Sequence, residues 1–303
     1  MPATKPPPPP PPATPARRAV SPGRKEKVKP AKAYTIEPWT GDGEGEKIVI
    51  YSPSGMGKTT LAAMAPKPAF MGFDDGGRRI KHPKTGQDLN RIPNVEDFED
   101  VRAVCGQPEI FTGPGYETLV IDTATMLEQL IEQHVLATVP KTDGGYVSNL
   151  KAYGWNDGYK HLLDAFRLLL ADLDRLVRAG VNVVLLAQET GHKMDNTEGA
   201  DYRKAGPHLT HNNQASLVLE LIAWADHVFR IGFEDTYVHT TDANQKVGKA
   251  VGEDKTRVIR AANARSYFAK SRTLDEDLIS FESKTDDSLW QFLFPAPGAS
   301  TPE

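Results

Sequence analysis

Apolar residues along this chain fall into short unbroken runs separated by stretches with helical spacing. Lys47-Ile-Val-Ile-Tyr51, Pro68-Ala-Phe-Met-Gly-Phe73, Thr118-Leu-Val-Ile121 and Val181–Gln188 are strand-sized and apolar on successive positions, the pattern of a strand covered on both faces. Between them, Thr59–Ala65 reads as a helix stopped by Pro66, and Asp97–Val104 as a short helix. Ala124–Ala137 carries Met126, Leu127, Leu130, Ile131 and Val135 at helical intervals. Asn156–Ala179 is the longest amphipathic segment, with Leu162, Phe166, Leu169, Leu173 and Leu176 on its apolar side and Gly180 as its stop. Tyr153 and Trp155 are expected to pack the start of that helix. Ser216–Trp224 reads as a further helix.

After Trp224 the pattern changes. His227–Phe233, Thr236–Thr241, Thr256–Ala262 and Tyr267–Lys270 read as antiparallel strands joined by Gly, Asn and Asp turns. Three polar stretches, 76–95, 140–155 and Glu189–Asn213, read as loops. The expected fold class is therefore α/β: a mainly parallel sheet flanked by helices, with antiparallel strands added at the C-terminal edge.

Composition sets the ends of that domain. Pro6–Pro12 is an unbroken proline run, and the basic stretch after it has almost nothing to bury. Residues 1–33 are expected to be a disordered Pro-rich basic tail, 34–291 one domain, and 292–303 a flexible C-terminal tail. Eight basic residues in the first 33 stand against Glu26 alone, a net +7, so the rest of the chain holds −11 of the overall −4. An acidic body argues against indiscriminate nucleic-acid binding and leaves local basic loops as the candidates. A single cysteine, Cys105, rules out a disulfide framework and a zinc site built on two or more thiolates. No apolar run approaches the roughly 18 residues of a membrane span, and the N-terminus has no apolar signal core. A cytoplasmic protein with no membrane partner is expected.

The chemistry concentrates in Ser52-Pro-Ser-Gly-Met-Gly-Lys-Thr-Thr60, between a predicted strand and a predicted helix. This is the phosphate-loop pattern with Ser52 in place of its first glycine. Ser52, Pro53, Ser54, Gly55, Met56, Gly57, Lys58, Thr59 and Thr60 are thus the expected nucleotide-binding residues. Gly55 and Gly57 let backbone amides face a polyphosphate. Lys58 is placed to reach the β- and γ-phosphates, Thr59 to ligate Mg²⁺, and Thr60 to touch the α-phosphate. Asp122 closes an apolar strand and is expected to hold the Mg²⁺ through a water; its alternative role is to cap the helix at Ala124. Thr123, not Glu, follows Asp122, which argues against ATPases of the AAA type. The base is then sought in Asp75, or Asp74 beside it, at the end of the second strand; the alternative is a solvated turn.

Taken in order, these words resemble a known family. Ile48-Val-Ile-Tyr-Ser-Pro-Ser-Gly-Met-Gly-Lys-Thr-Thr60, Phe73-Asp-Asp-Gly-Gly77, Leu119-Val-Ile-Asp-Thr123, Tyr153-Gly-Trp155, Val183-Val-Leu-Leu-Ala-Gln-Glu189 and Phe268-Ala-Lys-Ser-Arg272 resemble the RecA-like P-loop ATPase core over roughly residues 45–285. The closer resemblance is to the phage-borne RecA-like ATPases associated with single-strand annealing and recombination. Ser52 departs from that pattern, and Asp75 stands where the family carries Glu.

The resemblance implies ATP and Mg²⁺ as cofactors and hydrolysis of ATP. It implies single-stranded DNA, a ring or filament of like subunits and other phage recombination or replication proteins as partners, in the cytoplasm of a bacterial host. It makes Gln188 a γ-phosphate sensor that passes its state to Glu189–Asn213, a loop holding His192, Lys193, Tyr202, Arg203, Lys204, His208 and His211. It makes Lys270 and Arg272 a finger reaching the γ-phosphate of the neighbouring subunit. Two other classes compete: a nucleotide-switched protein-binding module, which the proline-rich tail favours, and a small-molecule kinase, whose usual Arg-rich lid has only Arg78-Arg79 and Arg203-Lys204 as candidates here.

Overall fold

A computed structural model describes residues 36, 40–41, 43–73, 75–196, 199–234, 237–238, 249–250 and 256–295. The expectations for the tail 1–33 and for Asp74 lie outside these residues, as do those for most of Thr236–Thr241 and for 296–303.

The strands are β1 (Lys47–Ser52), β2 (Pro68–Gly72), β3 (Thr118–Asp122), β4 (Asn182–Met194), β5 (Tyr202–Pro207), β6 (His227–Phe233), β7 (Tyr237–Val238), β8 (Lys249–Ala250), β9 (Arg257–Arg260) and β10 (Leu278–Ser280). The helices are α1 (Lys58–Ala62), α2 (Phe98–Cys105), α3 (Glu109–Thr112), α4 (Ala124–Thr138), α5 (Asp157–Arg178), α6 (Leu217–Trp224) and α7 (Ser288–Leu293). The main sheet runs β10-β9-β6-β1-β4-β3-β2. β6, β1, β4, β3 and β2 are parallel, while β9 and β10 are antiparallel. This is the arrangement expected of a RecA-like domain.

β1 shows why its sequence has no polar alternation. Val49 and Tyr51 enter a core covered by α2, α4, α5 and α6, while Ile48 and Ile50 enter a second core with α1 and α7. A central strand with helices on both faces must be apolar at every position. α5 is amphipathic because only one side meets the sheet, and Leu162, Phe166, Leu169, Leu173 and Leu176 are buried along it. It ends in a Schellman motif: Gly180 has φ 85°, its amide donates to Val177 O at 3.0 Å, and Val181 N donates to Leu176 O at 3.0 Å. Truncating one leucine of this face, such as Leu173→Ala, would cost about 2–5 kcal/mol.

Four expectations need correction. His227–Phe233 is not antiparallel but a fifth parallel strand beside β1, because α6 carries the chain back to the amino end of the sheet before β6 begins. Glu189–Asn213 is not a loop throughout: β4 runs on to Met194 and pairs antiparallel with β5. Tyr267–Lys270 forms no strand, only single bridges from Tyr267 to Ala205 and from Lys270 to Val228. At the C-terminus, Phe292 and Leu293, expected in the tail, belong to α7, whose Trp290 Nε1 donates to Leu61 O at 2.7 Å. Among the described residues, no helix is long and apolar enough to cross a membrane.

Candidate active site

The five residues Pro53–Gly57 connect β1 to α1 across the carboxyl end of the sheet. Gly55 and Gly57 have φ of 80° and 97°, a region that side chains disfavour. Gly57 also lacks room: a Cβ there would lie 2.8 Å from Arg257 Nη1 and 3.2 Å from Phe281 Cε1.

Lys58 folds back over this turn. Its Nζ lies among four acceptors that share its three N–H groups: Ser52 O at 3.0 Å, Ser52 Oγ at 3.2 Å, Pro53 O at 3.2 Å and Gln188 Oε1 at 3.3 Å. Burial pushes its pKa below the usual lysine range, opposed by the charges of Asp122 and Glu189. Ser52 occupies the place of the usual first glycine. It is fully buried, and its hydroxyl donates to Pro53 O at 2.9 Å while accepting from Lys58.

Asp122 stands at the tip of β3, level with Leu186 of β4 and Gly72 of β2. Its Oδ2 accepts from Thr59 Oγ1 at 2.7 Å. The capping alternative falls to its neighbour: Thr123 accepts from Met126 N at 3.3 Å and caps α4. Gln188 sits opposite Ser52 in the β1–β4 register. Its side chain faces Lys58, and its carbonyl accepts from His208 N at 2.7 Å, where the β4–β5 hairpin closes.

Lys58, Thr59, Asp122 and Gln188 thus meet at the carboxyl ends of three adjacent parallel strands. They line a cleft of about 410 Å³, at the place where open α/β sheets receive ligands. The donors suit a nucleotide with its metal. The Thr59 hydroxyl and Asp122 carboxylate are hard oxygen ligands for Mg²⁺, and Lys58 is a buried cation beside a glycine-shaped turn. Thr59 would hold Mg²⁺ directly and Asp122 through a water, with residues 52–60 around the triphosphate.

Other expected residues lie outside this cluster. Asp75 opens a 3-10 turn, Asp75–Arg79, after β2, and Gly77 and Ile80 of that region line the cleft. Lys270 and Arg272 do not reach the phosphate loop of their own chain. Lys270 Nζ donates to Ile222 O at 2.9 Å near the end of α6, and Arg272 pairs with Asp226 at 3.2 Å. Asp226 N in turn bonds Lys47 O at 2.8 Å, at the amino end of β1.

On the hairpin, Lys193 pairs with Asp201 at 2.7 Å. Lys204 is buried over the Phe268 ring, 4.4 Å from its centroid, and donates to Asn263 Oδ1 at 3.0 Å. Tyr153 packs as expected, its hydroxyl donating to Val139 O at 2.6 Å. Trp155 does not: it is 94% exposed, on a turn with φ 48°. Two cleft residues escape the motif, Arg257 and Lys284. The only trace of Arg257 in the sequence is one basic residue in a strand-like run.

The AAA domain family profile matches residues 44–273, more than half of the chain. This chain belongs to the AAA domain family. That overturns the argument drawn from Thr123: the position after Asp122 is occupied by the cap of α4, and a Glu there is not required for membership. Among curated proteins none matches the chain significantly. The solved structures that match the chain include the crystal structure of the RadB recombinase, with 15% identity, a TM-score of 0.42, and coverage of 80% of this chain and 89% of that one.

Proposed function

We propose that this AAA-domain protein binds ATP with Mg²⁺, hydrolyses it, and acts on single-stranded DNA in phage recombination or replication as a ring or filament of like subunits. The observation that carries this reading is the meeting of Lys58, Thr59, Asp122 and Gln188 around one cleft. When bound, Mg²⁺ supplies charge neutralisation at the β- and γ-phosphates. Lys58 would exchange its four oxygen partners for phosphate oxygens, a trade of neutral acceptors for charged ones that raises its pKa back toward the ordinary lysine range. Asp75 would orient the attacking water. Gln188 would lose Lys58 as a partner and answer to the γ-phosphate instead. Lys270 and Arg272 would act on the cleft of the next subunit, since their own lies toward the other end of β1. Arg203, exposed on the hairpin beside Tyr202, is the proposed DNA contact.

The hairpin also favours a second reading. Its other basic side chains, Lys193 and Lys204, are already engaged within the chain, so a protein partner switched by the nucleotide suits this surface too. ATP turnover with and without single-stranded DNA, with Lys58→Ala as the blank, separates the two. Several-fold stimulation that Lys58→Ala abolishes supports the DNA reading. Lys58-dependent turnover indifferent to DNA removes it and leaves the protein partner. Turnover unaffected by Lys58→Ala overturns the ATPase reading.

A further inference from the structure

The phosphate cleft holds a cation that the loop motif does not supply. Arg257 opens β9, which is separated from β1 by β6, yet its Nη1 donates to Met56 O at 3.1 Å, inside the loop. The guanidinium lies over the ring of Phe281, 4.4 Å from its centroid, and Phe281 itself is fully buried. The space it fills is the space a side chain at Gly57 would need. A guanidinium carries five N–H groups in a rigid fork, and the bond to Met56 takes one of them.

The described lining residues of the cleft include the cations Lys58, Arg257 and Lys284 and the carboxylate of Asp122, and the charge of Glu189 also reaches Lys58. A cleft with cations in excess on its lining favours an anionic ligand. Position then says which part of the anion Arg257 meets. Thr59 and Asp122, the pair proposed for the metal, meet on the β3 and β4 side of the loop, whereas Arg257 comes from the β6 and β9 side. A triphosphate held with its γ end at Asp122 and Gln188 would leave its other end for Arg257.

We propose that Arg257 is a nucleotide-binding residue supplied in cis by the last strands of the sheet, contacting the α-phosphate and ribose end. This rests on the ATP reading above. The Phe281 ring against the guanidinium and the bond to Met56 O limit its freedom, so the fork is preorganised before the ligand arrives. The residue belongs to binding, and its effect falls on diphosphates and triphosphates alike.

The test is titration calorimetry of the full chain with Mg-ADP and with a non-hydrolysable Mg-ATP analogue, comparing wild type with Arg257→Ala, Arg257→Gln and Arg257→Lys. Arg257→Ala is expected to weaken both nucleotides about tenfold, as loss of one charge-assisted contact does. Glutamine keeps the stem and a neutral donor without the charge, and serves as the second variant should alanine fail to fold. It is expected to bind as weakly as alanine, while lysine recovers part of the affinity. Full affinity in Arg257→Gln would reduce Arg257 to a brace for the loop and overturn the proposal. Loss confined to the ATP analogue would place the contact at the γ-phosphate and overturn it as well. If wild type binds and Arg257→Ala binds equally, this inference alone falls. If wild type binds neither nucleotide, the ATP reading falls with it.

Discussion

Glu189 and Arg230 are joined by two parallel hydrogen bonds of 2.8 and 2.9 Å across the end of β1. Glu189 directly follows Gln188, and Arg230 lies level with Tyr51 in the neighbouring strand. The pair ties the strand that faces Lys58 to the C-terminal half of the sheet. Both side chains are mostly shielded, at 14% and 20% exposure. Removing one partner strands the other charge, so Arg230→Met is expected to cost about 3 kcal/mol in urea unfolding. The double variant Glu189→Gln/Arg230→Met is expected to lose less than Arg230→Met alone, because no orphan charge remains. A double variant at least as unstable as the single would show that the ion pair is not what Arg230 contributes.

Thr59 and Asp122 share a hydrogen bond that metal binding would have to divide. Asp122→Asn keeps the shape but removes the anion, and is expected to raise the Mg²⁺ concentration for half-maximal turnover about tenfold or more. Thr59→Ala is expected to lower turnover on the order of a hundredfold. A Mg²⁺ titration of ATP turnover reads both, and an unchanged midpoint in Asp122→Asn would remove Asp122 from the metal site.

Lys270 and Arg272 each bond within their own chain near the amino end of β1, away from the cleft that the same chain carries. If they serve a neighbour, two defective proteins should repair one another. Lys58→Ala subunits, whose own cleft is impaired, are expected to restore turnover when mixed with Lys270→Ala/Arg272→Ala subunits. Turnover of the mixture no higher than the sum of its parts would exclude action between subunits.

Cys105 is fully buried, and burial, with the nearby charge of Asp172, pushes its thiol up to about 12. The unfolded thiol titrates near 8.5. The folded state therefore keeps a proton that the unfolded state gives up. The resulting stability is whole below about pH 8.5 and is lost as pH rises toward 12, at up to about 1.4 kcal/mol per unit. Relative to Cys105→Ala, the wild type is expected to lose about 2 kcal/mol between pH 8 and pH 10. Parallel stability curves across that range would contradict it. The same burial makes the native thiol slow to react with alkylating reagents at pH 8.

Legibility from sequence followed burial. β1, β2, β3 and the first half of β4 are apolar on successive residues because both faces are covered, and that signal survives without any partner in view. The direction of β6 does not survive, since His227-Val-Phe-Arg-Ile-Gly-Phe233 reads alike in a parallel or antiparallel neighbour. Glu189–Met194 is polar and gains its strand conformation only by pairing with β5, residue by residue. In the cleft, Lys58 and Thr59 were legible because the glycine turn fixes their spacing, and Asp122 because it ends a buried run. Arg257 was not, because its place over Gly57 depends on a contact between positions two hundred residues apart.

β4 has a mechanical consequence of its own. It is held among parallel strands up to Leu186 and Gln188, then continues to Met194 with β5 as its companion. That projecting part is six residues long, about 20 Å at a strand's rise per residue. It does not swing free: Ala205 of β5 donates to Ser266 O at 2.8 Å and accepts from Phe268 N at 2.9 Å. The hairpin is thus a beam on two supports, Gln188 at its root and the 266–268 segment beside it. A displacement beside Lys58 would pass along that beam into the segment that leads to Lys270 and Arg272, instead of being spent at an unattached tip.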